Sequence, residues 1–171
     1  QGSRKEKYKI GFNVWTKLYK KSLLDGIDFI PKIHFEDYPH TFAVLSKRPK
    51  TVVTSEKLYY YADNGASISN MKGKPQQIKD YHTGITFVYE IYKAPELKKE
   101  LAFLKRNFIP NILKHQLGRC NRSDKETQPI MFEEFSKELV DLNNKGLISW
   151  RGHKLTRYWK YKQLIKSAKL S

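Results

Sequence analysis

The sequence predicts a mixed α/β fold, mostly helical, with a short two- or three-stranded sheet close to residue 37. Three observations predict it. Apolar residues recur at helical spacing through most of the second half. Two runs rich in β-branched and aromatic residues, 51–54 and 57–61, lie close together. Of the 171 residues, 39% are hydrophobic and 13% aromatic, which is enough apolar material for a core despite a net charge of +16.

Gln1-Gly2-Ser3 reads as the remnant of a cleaved tag and stands outside the fold. From Phe12 to Leu24, Val14, Trp15, Leu18, Tyr19 and Leu23 follow helical spacing, and Asp25-Gly26 predicts the stop. Residues 27–35 alternate around Pro31 and predict an extended loop. Glu36-Asp37-Tyr38-Pro39 predicts a helix start, with an acid at the cap and proline in the first turn. That helix runs to about Lys47 and buries Phe42 and Leu45. Thr51-Val52-Val53-Thr54 and Lys57-Leu58-Tyr59-Tyr60-Tyr61 predict two short strands, and residues 63–67 a turn.

After a polar linker, residues 78–92 and 95–117 predict helices, the second kinked or split by Pro110. Residues 119–128 read as a loop. Met131 to Asn144 is strongly amphipathic, with Phe132, Phe135, Leu139 and Leu142 on one face and Gly146 at its end. A last basic helix is expected over about 155–168. The chain therefore divides into a mixed segment, 4–70, and a helical extension, 71–171.

Residues 4–70 hold 12 basic and 7 acidic side chains, and residues 71–171 hold 21 and 10. The final 27 residues, from Lys145, hold eight basic side chains and no acid. Such a tail is either a solvated face that keeps the chain dispersed or a patch for polyanions. Nucleic acid, nucleotide phosphates and anionic lipid head groups are all candidates. No stretch approaches the ~18 consecutive apolar residues of a spanning helix. No secretory signal is read, which points to the cytoplasm. The single Cys120 excludes an internal disulfide framework and a cysteine-based zinc site.

Four motifs occur in order: residues 13–24 (NVWTKLYKKSLL), Gly26-Ile27-Asp28-Phe29, Phe35-Glu36-Asp37-Tyr38-Pro39, and Tyr59-Tyr60-Tyr61 leading to Ser67-Ile68-Ser69. Taken together they resemble the acceptor-side, C-terminal portion of bacterial family 2 glycosyltransferases. These are enzymes of polysaccharide biosynthesis with a GT-A fold. The resemblance covers residues 10–70. It implies an inverting transfer of a sugar from a nucleotide-sugar donor to the hydroxyl of a glycan or lipid-linked acceptor. It implies that the small sheet extends a larger GT-A sheet, with residues 71–171 as a variable helical tail.

By the same resemblance Asp37 is the general base and Glu36 its neighbour, orienting the acceptor or the loop. Trp15 and Lys17 are substrate-binding, an aromatic face for a sugar ring and an ammonium for phosphate. The chemistry suits the residues: a sugar hydroxyl is a poor nucleophile, and a carboxylate within hydrogen-bond reach takes its proton as the new bond forms. A helix N-terminus favours the ionised carboxylate. The alternatives are local ones: Asp37 as a helix cap, and Trp15 as a core residue.

Family members carry a basic residue after the tyrosines, where Ala62-Asp63-Asn64 stands here, leaving Lys57 or Lys72 as substitutes. The family's donor half, whose Asp-X-Asp holds Mg or Mn with the diphosphate, has no counterpart in the chain. The resemblance thus implies a C-terminal portion inactive by itself, with no metal or cofactor of its own. A homodimer, and peripheral contact of the basic tail with the inner face of the membrane, are further expectations. The alternative function is a basic nucleic-acid-binding module built on Arg151, Lys154, Arg157, Tyr158, Trp159, Lys160 and Lys162. A metal held by His34, Glu36, Asp37 and His40 is a further candidate.

Overall fold

The computed structural model describes residues 11–62, 72–148 and 161–164. Five α-helices organise them: α1 (Asp37–Ser46), α2 (Pro75–Tyr92), α3 (Lys98–Phe103), α4 (Ile109–Arg122) and α5 (Thr127–Asn144). Leu104–Phe108 form a π-helical turn that joins α3 to α4.

Each boundary has a local cause. Pro75 opens α2, where a missing N–H costs nothing, and the Gln77 side chain accepts the Lys74 N–H at 3.1 Å. The predicted break at Pro110 falls one turn earlier. Pro110 cannot donate to the carbonyl of Arg106, and the π turn absorbs the lost bond. Helix α5 starts before the expected residue 131, because Asp124 accepts the Thr127 N–H at 2.8 Å and nucleates the extra turn. At its end Gly146 takes a φ of +62°, and the Leu147 N–H reaches back to the Leu142 carbonyl at 2.8 Å.

Helix α1 is almost wholly buried, from Tyr38 to Val44. Two phenols tie it to α2: Tyr38 donates to the Tyr81 carbonyl at 2.6 Å, and Tyr92 donates to the Phe42 carbonyl at 2.9 Å. The core continues through Ile78, Ile85, Leu113, Phe135 and Leu139, so one apolar cluster unites α1 with α2, α4 and α5. Each such side chain contributes about 1.5–3 kcal/mol by leaving water. Tyr161 packs edge-on against Phe135, with ring centroids 5.9 Å apart.

Close approach makes Gly84 irreplaceable. A Cβ there would overlap the Tyr38 hydroxyl. Gly84→Ala should push Tyr38 off the Tyr81 carbonyl and destabilise the fold by about 1–3 kcal/mol, read as a lower urea midpoint at unchanged slope.

The predicted sheet is not present. No strand occurs among the described residues, and a GT-A sheet is therefore not indicated. Residues 51–54 and 57–61 run irregularly on the surface, with Val52 and Tyr60 each nearly nine-tenths exposed. Their side chains favour a pleated backbone, yet a strand needs a partner ladder, and no described segment supplies one.

The predicted helix over 12–24 is also replaced. Two 3-10 turns, Val14–Thr16 and Lys21–Leu23, are separated by extended Lys17 and Lys20. The Thr16 hydroxyl and the Lys17 ammonium both donate to the Asn13 carbonyl, at 2.9 and 2.5 Å, competing with helical bonding. The predicted turn at 63–67 lies outside the described residues. Of the basic terminal helix only 161–164 are described, and these are helical.

Candidate acid-base site

Asp37 is the first residue of α1, and Glu36 holds the cap position. Glu36 makes no side-chain cap bond to the helix. The backbone N–H of Val14 and the Lys17 ammonium lie near enough to the Asp37 carboxylate to favour its charged form. The 3-10 turn at Val14–Thr16 ends at Lys17, whose charge acts on Asp37. Asp37, Glu36 and Lys17 are all half-buried.

The electrostatics differ from the simple helix-terminus expectation. Burial and the adjacent Glu36 charge push the Asp37 carboxyl above its ordinary value, while Lys17 and the Val14 N–H pull it down. The net shift is upward, which makes Asp37 a stronger base than a free aspartate. Lys17 shifts downward because burial outweighs its attraction to Asp37. Burial also raises the nearby Tyr19 phenol.

Trp15 is not a core residue. It remains 39% exposed and stacks on Tyr61, with centroids 5.9 Å apart and planes 18° from parallel. The pair forms an exposed aromatic ledge two residues before Lys17 in the chain. Tyr61 belongs to one of the four motifs but was given no binding role, because the tyrosine run read as a strand.

The four candidate metal ligands diverge. His34 turns to Asp80, and His40 is buried between Phe29, stacked at 4.1 Å, and Tyr19, edge-on at 6.2 Å. No group of three or more His, Cys, Asp or Glu side chains fit to hold a metal occurs among the described residues. The divalent ion implied by the resemblance would belong to the donor side. Cys120 is buried with its thiol near the Met131 carbonyl, an ordinary core position.

The residues of the alternative nucleic-acid face, Arg151 to Lys160, lie outside the described residues, and Lys162 is exposed. Among the described residues no helix is long and apolar enough to cross a membrane. No family model, no curated protein and no solved structure matches the chain.

Proposed function

We propose that the chain is the acceptor-side portion of an inverting glycosyltransferase, with Asp37 activating the acceptor hydroxyl. One observation carries the reading: a half-buried carboxylate, raised by its surroundings, lies within electrostatic reach of the Lys17 ammonium, and two residues before that lysine Trp15 stands exposed and stacked on Tyr61. Glycosyl transfer needs these elements together. As the acceptor oxygen bonds to the anomeric carbon, its proton passes to Asp37 and the nucleoside diphosphate leaves with the bonding electrons. The half-buried carboxylate keeps part of its surface open to an acceptor. Trp15, backed by Tyr61, offers a flat apolar face to a sugar ring. Lys17 supplies positive charge for a phosphate on donor or acceptor. The donor is a nucleotide-sugar, and the acceptor is a glycan or lipid-linked saccharide.

The pH dependence tests the assignment. Asp37 works only when ionised, so turnover should fall on the acid side with a midpoint above that of an ordinary aspartate. Removing the Lys17 charge takes away a lowering influence, so Lys17→Ala should move that limb to higher pH. Removing the Glu36 charge takes away a raising influence, so Glu36→Gln should move it to lower pH. Rate–pH profiles of the intact gene product that shift oppositely in the two variants support the base; profiles that ignore both contradict it.

A further inference from the structure

We propose that Asp80, acting through His34, is a positioning residue that holds the turn presenting Asp37. The inference rests on the reading of Asp37 as the working carboxylate, and it makes the helical half of the chain part of the site.

Asp80 lies on α2 and is 1% exposed. A carboxylate so buried is costly unless donors surround it. Here two of its donors come from one residue 46 positions away: the His34 backbone N–H at 3.0 Å and the His34 ring Nδ1 at 2.5 Å, both to Oδ2. Gln76 donates to Oδ1 at 2.7 Å. Against the raising effect of burial, these bonds hold Asp80 below its ordinary value, so it stays ionised. A neutral His34 then carries its proton on Nδ1, donated to the carboxylate.

The turn needs this anchor. Lys32 and Phe35 both adopt left-handed backbone, with φ of +61° and +64°. Each costs a non-glycine residue about 1–2 kcal/mol, so contacts elsewhere must hold the conformation. Asp80 holds His34 between them. Phe35 stacks on Tyr81 at 4.2 Å with planes 13° apart, and the Arg119 guanidinium covers it at 4.9 Å. The next two residues are Glu36 and Asp37. With no side-chain cap at the start of α1, the approach of Glu36 depends on the turn before it. The Glu36 charge is one of the influences that raise Asp37, so a loosened turn changes the carboxylate's surroundings.

The test is a carbon-13 carboxyl NMR titration of Asp37 in the full chain, compared across variants. Asp80→Asn should shift the Asp37 midpoint by about half a unit or more, on the scale on which local charges move carboxylates. His34→Gln, which alters the turn and leaves the core side chains in place, should shift it in the same sense. Leu142→Ala, which destabilises the core elsewhere, should leave it unmoved. An unchanged midpoint in a folded Asp80→Asn or His34→Gln chain would overturn the proposal. So would an equal shift in Leu142→Ala, because the effect would then be general loosening. The readout needs no turnover, so it is separable from the glycosyl-transfer reading: loss of that reading leaves the coupling standing, and loss of the coupling leaves Asp37 as base.

Discussion

Glu138→Met should make the protein more stable at pH 8, by about 3 kcal/mol or more, and should flatten its stability–pH curve. Glu138 lies on α5 and is 6% exposed, and neither carboxyl oxygen has a hydrogen-bond partner among the described residues. Burial, then the charges of Glu134, Asp141 and Asp80, raise its carboxyl from 4.5 to about 10, against a small opposing effect of Lys79. The folded chain therefore keeps a proton that the unfolded chain releases above pH 4.5. Below that pH Glu138 imposes no ionisation penalty, only the pH-independent cost of a buried carboxyl without partners. As pH rises toward 10, stability is lost at about 1.4 kcal/mol per unit. Methionine fills a similar volume and removes the charge. Glu138→Gln should remove the slope with a smaller gain, because its buried amide also lacks partners. Urea midpoints of the three proteins from pH 5 to 9 measure the effect; parallel slopes would show that Glu138 is ionised in the fold.

Glu138 was not named from the sequence, although it falls between Phe135 and Leu139 on an amphipathic helix. Helices α2 and α5 were legible because periodic apolar residues report a face that must be buried, whatever covers it. Pro110 and Gly146 announced a break and an end, because their backbone chemistry acts locally.

The segments that were misread depend on distant partners. Val52, Val53 and Tyr59 to Tyr61 carry β preference, but a ladder is a property of two segments. Val14, Trp15 and Leu18 have helical spacing, yet Thr16 and Lys17 spend their donors on Asn13 and break the run. The components Trp15, Lys17, Glu36 and Asp37 were named from sequence, and of these Lys17 and Glu36 act electrostatically on Asp37. The stacking of Trp15 on Tyr61, and the remote hold of Asp80 on His34, have no local signature.

Asp37 carries the other large expected effect. An asparagine there keeps the size of the side chain and an acceptor oxygen at a half-buried position, so the fold should persist. It cannot accept a proton from an acceptor hydroxyl near neutral pH. General-base catalysis contributes about 10²–10⁴-fold, and that factor should be lost from kcat with acceptor KM nearly unchanged. Turnover of nucleotide-sugar donor by the intact gene product, with and without Asp37→Asn, is therefore the decisive comparison. A fall of about 100-fold or more in a folded variant is the result expected of an acceptor-activating carboxylate; turnover equal to that of the unaltered protein would contradict it.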